Sequence, residues 1–189
     1  MPKTAPPPRR SAIAARMDEL ERRIAQRLAV IDLGSAEADA RALVALAGRA
    51  GGDAPRARAL AWLAHVQTRQ ELPLEAGATA AQALAAARAS GDSALIATAL
   101  LRQASAGFLA DRGLAAAQAE EAAQRFEALG EPALQGQALR VLAAVRLAEA
   151  DTPGHRAIAQ QDIDLARARA APSARCTPAT RTWRGSCAG

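Results

Sequence analysis

Few residues in this chain could do chemistry, and they stand apart from one another. His65 and His155 are the two histidines; they fall in different segments, and neither has a cysteine or a second histidine at a metal-ligand spacing. Glu120–Glu121 and Asp162/Asp164 are carboxylate pairs of the kind a general acid and base would need. Residues one or two apart on a helix point in different directions, however, so both pairs read as solvated surface. Lys3 is the sole lysine and sits in a proline-rich basic stretch, which leaves no phosphate-loop lysine and no Schiff-base lysine. No Gly-x-Gly-x-x-Gly motif occurs, and no Ser–His–Asp arrangement can be argued from spacing. Cys176 and Cys187 both lie near the C-terminal end and form neither a C-x-x-C pair nor a disulfide framework. We expect a non-enzyme with no cofactor and no metal site.

The elements that would position any such residue are helices. Alanine fills roughly three in ten positions and has the best intrinsic helix propensity, whereas the aromatic and β-branched residues that strands favour are sparse. Tyr and Asn are absent, and Phe and Ile are few. Those types and Lys share AT-rich codons, which points to a high-GC bacterial source. Codon bias alone would then explain why arginine so outnumbers lysine.

A formal charge of +5 and a pI near 10.7 invite a nucleic-acid reading, so the location of the charge matters. Lys3, Arg9, Arg10, Arg175, Arg181 and Arg184 lie in the two end segments, where there is no acid. Without those six, 18 basic residues face 19 acids, a core charge near −1. Nucleic acid is therefore a disfavoured partner. Charged residues or glutamine interrupt every apolar run well before the ~20 residues a membrane span needs, and no signal-peptide pattern is present. We expect a cytoplasmic protein without a membrane segment.

A repeat organises the rest. Gly52-Asp53, Gly91-Asp92 and Gly130-Glu131 each precede a helical run, and 91−52 and 130−91 both equal 39. A glycine just past a helix can take the left-handed conformation, and the acidic residue after it can cap the next helix or favour its N-terminus. Pro55 and Pro132 then fall in a first turn, where a missing N–H costs nothing. Each unit breaks again near its middle, at Leu72-Pro73, Asp111-Arg112-Gly113 and Asp151-Thr152-Pro153-Gly154. The spacing predicts helices over Arg56–Gln70, Leu74–Ser90, Ser93–Ala110, Leu114–Leu129, Ala133–Ala150 and His155–Ala170. Upstream, Ser35–Ala50 reads as a helix capped by Ser35, and its partner is Ser11–Asp32. There Met17, Leu20, Ile24, Leu28 and Ile31 form a stripe that either caps the array or pairs two copies into a homodimer. The organisation expected is a disordered basic arm over 1–10, helical hairpins over 11–170 (11–52, 53–91, 92–130 and 131–170), and a disordered tail over 171–189.

Antiparallel helix pairs with small residues at their crossings, the turn glycine Gly113, the aromatic Phe126 and the closing phrase Leu129-Gly130-Glu131 resemble tetratricopeptide repeats. The period is longer than that family's usual ~34 residues. It is similar to extended variants in bacterial signalling proteins and transcription regulators. The resemblance implies an all-α solenoid of about eight helices, whose first helices line a concave face that grips a peptide or partner protein. Arg58, His65, Arg69, Arg102, Gln103, Gln137 and Arg140 are the polar residues expected on that face.

The segment from Ala171 loses the helical period and holds both cysteines and Trp183. Its mix of Ala, Arg, Pro, Ser, Thr, Cys and Trp is what GC-rich DNA encodes out of frame, so we expect a frameshifted or truncated product. The alternative for the tail is a basic segment in which Trp183, between Arg181 and Arg184, contacts nucleic acid or membrane. Two functions follow: a peptide-binding scaffold, or the N-terminal regulatory region of a signalling protein whose diguanylate cyclase or DNA-binding output domain is missing.

Overall fold

The computed structural model describes residues 9–149 and 153–170. Among them are eight helices and no strand: α1 (Arg9–Ala29), α2 (Leu33–Ala50), α3 (Asp53–Arg69), α4 (Pro73–Ser90), α5 (Ser93–Gly107), α6 (Arg112–Ala128), α7 (Pro132–Ala148) and α8 (Pro153–Ala170). Every helix packs on the next in the chain, and the odd-numbered helices also touch one another, α1 on α3, α3 on α5 and α5 on α7. The molecule is thus an α-solenoid of four hairpins, with the first helix of each hairpin on the inner face. Arg9 and Arg10, expected in the basic arm, belong to α1, and the rest of that arm, residues 1–8, lies outside the described residues. The tail over 171–189, with its cysteines and Trp183, lies outside the described residues, as do residues 150–152.

The glycine punctuation holds in the backbone at all three marks. Of the acidic residues after it only Asp92 caps with its side chain, Asp53 lying inside the first turn of α3 and Glu131 making no cap bond. Gly51, Gly52, Gly91 and Gly130 all have φ between 71° and 87°, where a side chain would be strained. Asp92 caps α5 by accepting from the Ala94 and Leu95 N–H groups, and Asp111 caps α6 by accepting from Leu114 N at 2.9 Å. Pro73, Pro132 and Pro153 occupy first helical positions. Two local expectations need correction. The cap of α2 is Asp32, whose carboxylate accepts the Ser35 N–H at 3.2 Å, so Ser35 lies inside the first turn. Gly113 makes no turn, because α6 has already begun at Arg112, while α5 stops at Gly107, three residues short of Ala110.

The first two intra-hairpin turns close with residues other than glycine in the left-handed region, Ile31 at φ 62° and Glu71 at φ 61°. Each is followed by the same six-to-one backbone bond, Asp32 N to Arg27 O at 2.9 Å and Leu72 N to Gln67 O at 3.0 Å. A β-branched residue there is strained by roughly 1–2 kcal/mol, and Ile31 buries little in return, being 68% exposed. Part of the relief is offset by glycine's larger unfolded-state entropy. Ile31→Gly is therefore expected to raise stability by about 0.5–1 kcal/mol. A lower urea midpoint for the variant would contradict this.

Alanine dominates the interior, with Ala40, Ala64, Ala80, Ala83, Ala87, Ala97, Ala104, Ala119 and Ala138 fully enclosed. One core cluster joins α1, α2 and part of α3, and a second runs from α3 to α8. Met17, Leu20, Ile24 and Leu28 are all buried in the first, against α2 and α3. That stripe caps the array within the chain and is not free to pair two copies; Ile31, past the end of α1, is not part of it. Asp39 of α2 is buried between two α1 arginines, with Arg23 Nη2 at 2.8 Å and Arg27 Nη1 at 2.6 Å. Arg27 also donates to the Ser35 carbonyl, which ties the first hairpin together. None of the described helices is long and apolar enough to cross a membrane.

Candidate functional site

The inner face is built from columns of residues about one repeat apart. Arg58, Thr98 and Gln137 form one column; Trp62, Arg102 and Val141 form a second; His65, Ser105 and Ala144 form a third. Each trio comes from α3, α5 and α7 and faces the same way, because flanking alanines such as Ala57, Ala64, Ala97, Ala99, Ala104 and Ala138 turn the other side of each helix into the core. The columns line one groove with two concavities, of about 450 Å³ and 360 Å³, that share His65, Arg102 and Gln137.

The concavity nearer the glycine-marked edge is mostly apolar, walled by Ala25 and Leu28 of α1 and by Trp62, Leu95 and Leu134. Its one peripheral cation is neutralised. Arg58 Nη2 donates to Glu21 at 2.8 Å and Asp18 at 3.1 Å, both on α1. The bond to Glu21 leads the causes that hold its guanidinium above the ordinary value.

The other concavity is cationic. Arg69, Arg102 and Arg140 enter it from α3, α5 and α7, and no carboxylate lines it. Elsewhere nine arginines, from Arg22 to Arg169, lie within 4 Å of a carboxylate. Among the described residues none of these three does. Arg102 Nη1 lies 3.3 Å from His65 Nδ1, and its Nε is enclosed without a hydrogen-bond partner. Burial lowers its guanidinium to about 10, which still leaves it charged at neutral pH. Burial, and then the charges of Arg102 and Arg69, push the His65 imidazole down to about 3. A neutral ring accepting at Nδ1 carries its proton on Nε2. The Trp62 ring stands 6.3 Å from it, tilted by 53°. Thr68 and Ser105 each donate a hydroxyl hydrogen to the carbonyl four residues back, at 2.8 Å.

Of the seven residues expected on this face, Arg58, His65, Arg69, Arg102, Gln137 and Arg140 line the groove. Gln103 does not: one helical step round from Arg102, it is half-buried beside the groove, and its side-chain oxygen has no partner. Trp62, Thr98, Ser105, Leu134 and Val141 belong to the wall and were not expected there. Stepping one repeat from Arg58 to Thr98, or back from Arg102 to Trp62, would have found the first two. Three of the four carboxylates weighed for acid–base work are engaged in ion pairs, Glu121 with Arg125 at 2.9 Å, Asp162 with Arg146 at 2.7 Å and Asp164 with Arg167 at 3.4 Å, and Glu120 is exposed on α6. Among the described residues no group of three or more His, Cys, Asp or Glu could hold a metal ion. No protein-family model, curated protein or solved structure matches this chain.

Proposed function

We propose that this chain is a non-catalytic interaction scaffold of tetratricopeptide type, acting in the cytoplasm, that holds an extended segment of a partner protein along the groove of α1, α3, α5 and α7. One observation carries the reading. Polar side chains from three successive repeats, α3, α5 and α7, converge on one groove on the inner face. A groove lined by several helices suits an extended chain, which can offer a side chain to each repeat in turn.

The test is a peptide selection on the full chain followed by variants that block the groove. Ala144 is exposed on the α7 wall, so Ala144→Trp fills space without disturbing the core. Selected peptides are expected to bind it at least about tenfold more weakly, while Gln124→Trp on the exposed side of α6 leaves binding unchanged. Equal binding to wild type and Ala144→Trp, with amide protection on α4 and α6 instead, would overturn the reading.

A further inference from the structure

The two edges of the solenoid differ in what they expose. Odd-numbered helices end, and even-numbered helices begin, at one edge, while the glycine marks Gly52, Gly91 and Gly130 lie at the other. At the first edge Val30 and Ile31 stand exposed at the first turn, Leu72 and Leu74 at the second, and Leu109 and Leu114 at the third. Leu147, in the last turn of α7, continues the row. Leu74 is 84% exposed and Leu109 75%, whereas among the described residues the turns of the glycine edge expose Leu129 alone of the large apolar side chains. Single exposed leucines are ordinary, but a row of them at successive turns is not. Ile31 is an independent sign, because it holds a φ of 62° while 68% exposed, a strain that its own packing does not offset. Since α1, α3, α5 and α7 touch in sequence, successive turns step by about 10 Å and the row runs for roughly 30 Å. A helix rises about 10.5 Å in seven residues, so apolar side chains one heptad apart match that step. Asp32, Glu71, Glu75, Asp111 and Glu149 lie within two residues of the row, all exposed, and none is paired with an arginine among the described residues. Arg112 is the one unpaired arginine equally near. We propose that this edge docks an amphipathic helix of a partner protein, with apolar residues a heptad apart and basic flanks. Those carboxylates attract a basic helix and repel an anionic membrane surface.

The probes are labelled helical peptides of four heptads, with leucines at heptad spacing and either lysine or glutamate on the flanks. The full chain is expected to bind the lysine peptide at least about tenfold tighter than the glutamate peptide, and less tightly as salt rises. A Leu74→Gln/Leu109→Gln double variant alters exposed side chains alone, so its melting curve should match wild type while its affinity falls about tenfold. Leu129→Gln, at the glycine edge, should bind as wild type does. Ile31→Gly should bind more weakly although it is the more stable protein. Bound peptide is expected to slow amide exchange over 30–33, 71–75 and 108–114. Equal affinity for the two peptides, or a double variant that binds as wild type does, overturns the proposal. Protection along α3, α5 and α7 instead of the turns overturns it too, by placing the peptide in the groove. Binding to phosphatidylcholine vesicles, with or without phosphatidylglycerol, that the double variant abolishes would assign the edge to a membrane. A wild-type dimer in sedimentation that the double variant dissociates would assign it to a second copy. Either result overturns the proposal.

Discussion

Phe126→Ala is expected to destabilise the protein by about 3–5 kcal/mol and to lower its melting temperature by roughly 10 °C. Among the described residues Phe126 is the largest fully buried side chain, and it belongs to the cluster that runs from α3 to α8, with Leu100, Leu139 and Leu142. The related places in the preceding units hold Ala47 and Ala87, so one hairpin alone has a ring in that position. Closing the void would need two helices to move together, because the alanines around it, Ala119, Ala122 and Ala123 among them, have no side-chain length with which to fill it. Phe126→Leu, which keeps much of the volume, is expected to cost under about 1.5 kcal/mol. The first hairpin has its own cluster, built on Ile24 and Leu43, so α5–α8 should open before α1–α2. Urea unfolding followed by hydrogen exchange would show both effects. A loss below 1 kcal/mol, or simultaneous opening of all eight helices, would contradict this account of the core.

Alanine gives the array close helix approach and little apolar area per contact, so a few large side chains carry a disproportionate share of the burial. Mutating one alanine to something larger should be worse than mutating one to glycine on the exposed side. The inner face differs from the core in that its side chains are long and polar. Helices spaced by alanine in the core bring Arg69, Arg102 and Arg140 into one concavity, at a separation that larger core residues would widen.

How much of this was legible in the sequence depends on whether a residue's own chemistry or its neighbours decided the outcome. Gly52, Gly91 and Gly130 could be read because positive φ is a need that glycine meets, and Pro73 and Pro153 because proline cannot continue a preceding helix. The ends of α1 and α3 were harder, since Ile31 and Glu71 take the glycine conformation against their own preference. Ser35 and Asp32 are both competent caps three residues apart, and only the register of α2 chooses between them. On the inner face, arginine, histidine and glutamine announced themselves on the first helices, while Trp62 carries no charge or amide to mark it. The neutralisation of Arg58 depends on Asp18 and Glu21, about forty residues earlier and one hairpin away, a pairing no local pattern encodes.

His65 makes stability fall as the solution is acidified. Its pKa is about 3 in the folded chain against an ordinary value of 6.5, so between those values the unfolded chain binds the proton and the folded chain does not. The stabilisation is complete above pH 6.5 and is lost progressively as the pH falls toward 3. From pH 7 to pH 5 the expected loss is about 2 kcal/mol. Asp32 and Glu37, both held below their ordinary values by hydrogen bonds from Ser35 and Gln70, titrate at lower pH and leave this window to the histidine. His65→Gln keeps an acceptor for Arg102 without a titrating ring, so its urea midpoint should change much less between pH 7 and pH 5. Equal losses in wild type and variant would show that another group is responsible. The same measurement bears on the groove, because two of the three causes of the low pKa are the charges of Arg102 and Arg69.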